Sequence, residues 1–404
     1  MNWEQKTLGE LLEALIDHRG RTPKKLGTDF VANGVPVLSA QLVTNGFIDW
    51  SNTRFVDQQT FELWMPQKLK KSDVLLTSEA PLGRTAILNR EQNVVLGQRL
   101  FALRGKKGVL DNHYLHYWLR SDKGQAVLTS HAQGTTVIGI RQSSLRSISV
   151  DLPSITTQKA IADVLGTLDD KIAANQRIAD SITDLQSAIW NRAIQDVERV
   201  PVGSVALPQL GGTPARKVQE NWTNEIPWSS VADMTAANGK YLLNTAEGIS
   251  IECAKTRRFA PLPAGAVLLS ARGTVGKVVT LVSPTSFNQS AYGFAEPENR
   301  SAALRLAIEG IVEELRSKSY GSVFSTITKG TILECTVPNV FHEEYSDLHS
   351  HLGMLEDRAI SAVQENQVLA ATRDELLPLL MNGKITVDEA EEAVGDVGVL
   401  KQKQ

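Results

Sequence analysis

The chain has 404 residues, more than a single hydrophobic core usually serves, so two or more domains are expected. Apolar residues make up 42% of it and charged residues 22%, the balance of a folded globular protein, and runs such as Ala264 to Ser270 are far too short to span a bilayer. A net charge of −3 excludes neither a nucleic acid nor a protein partner, because local rather than whole-chain charge steers a polyanion.

The opening, MNWEQKTLGELLEALIDH, carries acidic residues early and has no apolar signal core. Only Cys253 and Cys335 are present, in no metal or redox spacing. Both features predict a reduced, cytoplasmic protein with no membrane association. Residues 1–150 hold 19 Lys or Arg against 13 Asp or Glu, a net of +6. Short β-rich runs there, such as GVPVLS and DVLLTS, are punctuated by Gly, Pro and Asn turns, and one helical stretch follows at 112–128. The fold class expected is α+β. From Ile161 the period changes: Ile161, Leu165, Leu168, Ile172, Ile182, Leu185 and Ile189 keep the three-four spacing of a helix seam, with Asn175 and Ala179 in its middle.

The second half repeats the first at an offset near 191 residues. RGRTP at 19–23 matches GGTPA at 211–215, GVPVLS at 34–39 matches EIPWSS at 225–230, and DVLLTS at 73–78 matches GAVLLS at 265–270. Gln98 matches Gln289, and GTTVIGI at 134–140 matches GSVFSTI at 321–327. A second helical stretch is expected at 300–318, and a second seam runs from Leu352 through Leu355, Ala359, Val363, Leu369 and Leu376 to Leu380. Asn366 sits 191 residues after Asn175, so the two amides are candidates for a polar pair that fixes the register of one helix on the other. Segment 201–340 is weakly basic, while 151–200 and 341–404 are acidic. Two antiparallel helices would place the duplicated domains about a pseudo-two-fold axis, which suits a ligand that is itself two-fold along its backbone, with duplex DNA foremost.

Candidate contacts gather at the repeated turns. The first copy offers Arg19, Arg21, Lys24, Lys25 and Arg84; the second offers Arg216, Lys217, Arg272 and Lys277. Arginine presents a rigid fork for phosphate or a guanine edge, lysine a mobile charge, and adjacent glycine lets backbone approach a phosphate. The competing reading is that these turns merely close strands and that the cations solubilise the surface. Gln98 and Gln289 could read adenine, or could be buried amides supporting a loop. Positions where the copies differ, such as Arg54 and Gln58 in the first and Lys255, Arg257 and Arg258 in the second, are the better candidates for base choice. Thr135, Thr136 and Ser322 offer hydroxyls to phosphates, or belong to plain turns. The seven tryptophans are scattered, and most are expected to be core or interface anchors.

No catalytic signature emerges. LSARGTVGKV at 269–278 lacks the first Gly and the last Ser or Thr of a phosphate-binding loop. HExxH, GxSxG, an Asn/Asp-Pro-Pro-aromatic amino-methylation motif and a dinucleotide fingerprint are all missing from the sequence. His342, His349 and His351 lack a cysteine or carboxylate frame for a metal. The pattern is that of a recogniser rather than an enzyme.

Together, TLGELLE with RGRTP, the turns APLGRTA and SARGTVGKV, QKAIADVLGTLDDKIAANQRI, and the block ending in LLPLLMNGKI make the chain resemble the specificity subunit of type I restriction-modification systems. The resemblance covers residues 5 to 385. It implies target-recognition domains at 1–155 and 196–340 and spacer helices at 156–195 and 341–385; residues 386–404, with DEAEEA, fall outside it and are expected to be an acidic tail. It also implies partners: double-stranded DNA, two modification subunits that hold S-adenosylmethionine and methylate adenine, and restriction subunits that use ATP and Mg²⁺. No cofactor is expected in this chain. The alternative is a protein scaffold whose duplicated domains bind peptides.

Overall fold

The computed structural model describes residues 3–396 apart from 45, 238, 297, 299 and 320–325. The chain divides into two compact units: the first 172 residues with the chain from Val368 onward, and Ala173–Gln367. The division falls inside two long helices, Ile155–Ala193 and Ser346–Met381.

The first unit contains β1 (Glu4–Thr7), β2 (Leu12–Asp17), β3 (Val35–Leu38), β4 (Arg54–Val56), β5 (Val74–Thr77), β6 (Thr85–Ile87), β7 (Val95–Leu96), β8 (Leu100–Gly105) and β9 (Ser149–Leu152). Its main sheet, in the order β2-β8-β5-β6, is antiparallel throughout. Side chains alternate between its faces. Leu15, Phe101, Leu103, Val74 and Leu76 enter one buried cluster, while Ala14, Ile16, Ala102, Leu75 and Ala86 enter another. Both faces are therefore covered, which is why DVLLTS reads as continuous apolar sequence rather than alternating. A smaller sheet, β4-β3-β7, mixes an antiparallel and a parallel pairing, and β1 pairs antiparallel with β9.

The helical stretch expected at 112–128 is broken in two, Asn112–Arg120 and Asp122–Ser130. Ser121 is extended (φ −64°, ψ 154°), and its hydroxyl accepts from the Gly124 N–H, so it ends one helix and caps the next. Within this unit Ile161, Leu165 and Leu168 of one long helix share a buried cluster with Leu369, Leu376 and Leu380 of the other. Residues 386 onward, which the charge pattern gave as an acidic tail, include a helix, Val387–Asp396, started by Thr386 and Glu389. Ala390 and Val394, four apart, are buried in that same cluster.

The second unit repeats the plan. It holds β10 (Arg199–Pro201), β11 (Gln209–Leu210), β12 (Ile226–Ser229), β13 (Tyr241–Leu242), β14 (Glu247–Ile249), β15 (Val267–Ser270), β16 (Val278–Leu281), β17 (Ser286–Phe287), β18 (Ala291–Phe294) and β19 (Thr336–Pro338). The main sheet runs β11-β18-β15-β16-β13, the smaller one β14-β12-β17, and β10 pairs with β19. Val267 and Leu269 again point to one cluster, and Leu268 and Val279 to the other. The stretch expected at 300–318 is also two helices, Ser301–Glu309 and Val312–Ser319. Inside this unit the long helices run antiparallel. Asn175 Nδ2 donates to Glu365 Oε2 at 2.8 Å, whereas Gln186, further along its helix, donates to the carbonyl of Leu352, further back on the other.

Four tryptophans, Trp64, Trp118, Trp190 and Trp228, are core anchors as expected, and Trp3, Trp50 and Trp222 are half-buried.

Candidate nucleic-acid interface

The two glycine turns that open the question of phosphate binding are built by one set of contacts, used twice. In the first unit the Thr77 hydroxyl accepts from the Arg84 N–H at 2.9 Å, and the Gly83 N–H donates to the Thr77 carbonyl at 3.1 Å. In the second, the Ser270 hydroxyl accepts from the Lys277 N–H at 2.8 Å, and the Gly276 N–H donates to the Ser270 carbonyl at 2.9 Å. Each turn closes a hairpin of its main sheet, β5–β6 or β15–β16. Gly83 and Gly276 have φ of +93° and +86°, where L side chains are strained. A Cβ at Gly83 would lie 2.5 Å from Gln125 Oε1, and one at Gly276 would lie 2.7 Å from Val312 Cγ1. Gln125 donates to the Gly83 carbonyl and Arg316 to that of Val275, so residues 191 apart brace the two turns. These loops are hairpin turns of a repeated domain rather than nucleotide cradles.

The cations on and around the turns fall into two groups. Arg84 is exposed, as are Lys24, Arg54, Lys217, Arg257, Arg258 and Arg272, and among the described residues none of these has an acidic partner. The others are engaged. Arg19 grips Asp17 through two nitrogens, donates to the Ile140 carbonyl and lies over the Phe101 ring. Arg21 donates to the carbonyls of Leu63 and Trp64, and Lys25 to that of Gly20. Lys255 pairs with Glu252, and Arg216 holds both oxygens of Glu247. Lys277 is half-buried and donates to the Gly239 carbonyl; burial, then the nearby charge of Lys240, lower its pKa. Gln98 and Gln289 are exposed, so they are not the buried loop supports that the sequence left open; Gln289 does accept a short hydrogen bond from Thr213. Thr135 and Thr136 are exposed at the tip of a turn, and Ser322 lies outside the described residues. Asn175 is buried and bonded to Glu365, the residue before the half-buried Asn366.

A family model described as the type I restriction modification DNA specificity domain matches residues 1–184 and again 194–344. The chain belongs to that family. It is 21% identical to the putative type I restriction enzyme MjaX specificity subunit of Methanocaldococcus jannaschii, over 96% of this chain and 94% of that one. It is 19% identical to the HindI specificity subunit of Haemophilus influenzae, over 95% of this chain and 100% of that one. Among solved structures, the type I restriction-modification S subunit from M. genitalium shares the fold with a TM-score of 0.59, at 14% identity and with 94% and 96% of the two chains covered.

As a type I specificity subunit the chain serves sequence-specific DNA recognition and is not itself a catalyst. Among the described residues no three His, Cys, Asp or Glu side chains group as a metal site, and no helix is long and apolar enough to cross a membrane. Burial pushes Cys253 up, and burial followed by the charge of Glu314 pushes Cys335 up to about 11, the opposite of what a thiolate nucleophile needs.

In each unit a polar cluster that the sequence did not announce ties a short helix to the long helices. In the first, Asp169 accepts from Tyr117, Arg120 and Arg373 at 2.8, 2.9 and 2.6 Å, and Arg120 reaches back through His116 to Thr85, the residue after Arg84. In the second, the fully buried Arg305 binds Gln186 at 2.6 Å, Glu309 at 3.2 Å and Glu356 at 3.8 Å. No signal in single-residue patterning points to either, because their members lie up to 204 residues apart in sequence.

Proposed function

We propose that this chain reads a bipartite, asymmetric duplex DNA target, one half-site per α+β domain, and positions methyltransferase and restriction subunits on it. Residues 1–155 and 196–340 serve as target-recognition domains. Residues 156–195 and 341–385 serve as spacer helices, setting the gap between half-sites and docking two modification subunits. Those subunits hold S-adenosylmethionine and methylate adenine, and restriction subunits use ATP and Mg²⁺ for translocation and cleavage. The observation that carries this reading is the double match: the specificity model falls on each half of the chain, and each half holds the same braced turn ending in a cation.

The division of cations gives the contacts distinct tasks. Lys24, Arg54 and Arg84, with Thr135 and Thr136, face DNA from the first domain; Lys217, Arg257, Arg258 and Arg272 do so from the second. Arg19, Arg21, Lys25, Arg216, Lys255 and Lys277 hold the loops that present them, and Gln98 and Gln289 lie where an adenine edge can be read. Ser322 remains a candidate by sequence alone. Each mismatched pair costs about 1–3 kcal/mol, so two half-sites of a few pairs discriminate well across a genome. Binding of the complex with its modification subunits to a target duplex is expected to weaken by about 10³-fold or more between 50 and 200 mM salt if six or more phosphates are neutralised. Affinity that neither depends on salt nor distinguishes the target from random duplex contradicts the reading.

A further inference from the structure

A cleft of about 430 Å³ opens in the first recognition domain beside the RGRTP turn. Its walls bring together Lys24, Gln41, Arg54, Gln98 and Arg99, residues that the sequence scatters over 75 positions. Three observations mark it as a built site. Trp64 lines it while only 1% exposed, and the indole N–H has no hydrogen-bond partner among the described residues, a buried donor without an acceptor. Ala80 and Arg99, both on its wall, are two of the four described non-glycine residues in the left-handed region, at φ of +51° and +62°. Arg54 lines it with its guanidinium carbon 4.1 Å from the centroid of the Phe30 ring and with no acidic partner among the described residues, so the stack favours one orientation while its donors stay available.

The second domain makes the contrast. Strand register places Arg54 opposite Val37, which also pairs with Val95 in parallel; the corresponding pairings in the second domain are Glu247 opposite Trp228, which pairs with Ser286. Where the first domain presents a cation, the second therefore presents a carboxylate. That carboxylate consumes Arg216, which lies 3.8 Å from the Trp222 ring. A guanidinium stacked on an aromatic beside this strand pairing occurs in both domains, and among the described residues Arg54 lacks the acidic partner that Arg216 has; Arg258, 6.0 Å from the Phe259 ring elsewhere in the second domain, also lacks one.

We infer that Arg54, stacked on Phe30 in the wall of this cleft, is a specificity-determining residue of the first half-site and reads a guanine edge, and that Glu247 removes this reading from the equivalent position of the second. The inference rests on the DNA-reading function proposed above. Arg54 is exposed, so Arg54→Gln leaves the core intact, and Phe30→Leu keeps the apolar contact while loosening the stack.

The test is methylation mapping of the full complex, with its modification subunits, on a library of duplexes. Wild type marks one bipartite motif. Arg54→Gln is expected to relax one guanine position in one half-site, raising methylation of duplexes altered there about tenfold or more relative to the cognate, with the other half-site unchanged. Phe30→Leu is expected to relax the same position less. A uniform loss of methylation with the motif intact makes Arg54 a phosphate contact and overturns the inference, as does an unchanged motif. A wild-type complex that marks no defined motif overturns the DNA-reading function itself.

Discussion

Replacing Asp169 by Ala is expected to destabilise the first unit by about 1.5–3 kcal/mol at pH 7, the worth of charge-assisted hydrogen bonds in a half-buried ionic cluster. Arg120 and Arg373 have side chains only 13% and 14% exposed, and both spend a donor on this carboxylate. Without it Arg373 keeps only the well-exposed Asp374, and Arg120 keeps His116, among the described residues. Asp169→Asn retains an acceptor but loses the charge, so it should cost less. Denaturant unfolding, with hydrogen exchange over residues 112–130, measures both. Burial alone would raise the pKa of Asp169, but Arg120 and Arg373 outweigh it and the pKa is lowered. Its contribution is therefore complete above the ordinary carboxylate range and lost as pH falls through the folded value. His116 adds a second acid-sensitive element. Burial, then the charge of Arg120, hold it down to about 3 from 6.5, so the stability it confers as a neutral ring is full above pH 6.5. That stability is lost on acidification, with a slope of up to about 1.4 kcal/mol per pH unit that His116→Gln should remove.

In the second unit, Arg305→Ala is expected to cost about 3–5 kcal/mol, while Arg305→Met should cost much less. Arg305 is fully buried, and its removal to Ala leaves a cavity beside Gln186, Glu309 and Glu356. Burial raises the pKa of Glu356, against the lowering effect of its Ser301 hydrogen bond and of Arg305, so its proton can return when the cation is gone. Met restores most of the volume without asking for a counter-charge. A parallel measurement of the two variants by thermal unfolding separates lost packing from lost pairing; equal losses would contradict this account.

Duplication was legible because order and offset survive where identity does not, and the helix seams were legible because period is independent of partner. The seam from Ile161 to Ile189 lies within the helix Ile155–Ala193, and the second lies within Ser346–Met381. Less visible were interruptions set by a single capping hydroxyl, as at Ser121, and a helix as polar as Val387–Asp396, whose buried face is only two small residues wide. The interface was legible as a list of cations but not as a division of labour. Whether Arg19 or Arg84 faces solvent depends on Asp17 and Ile140, and the cleft around Arg54 depends on a strand register that brings position 54 opposite position 37. Glu247 had no sequence mark at all, because its meaning lies in the pairing with Trp228 that makes it the counterpart of Arg54.

If the long helices set the gap between the two half-sites, as proposed, an insertion in one of them shows it most directly. Two or four residues placed after Asp184, in the helix Ile155–Ala193, change the rise and rotation between its ends. Mapping the methylated motif of the complex before and after should return the same bases in both half-sites with an altered gap between them. A change in the half-site bases themselves, or a single uninterrupted motif, would contradict it.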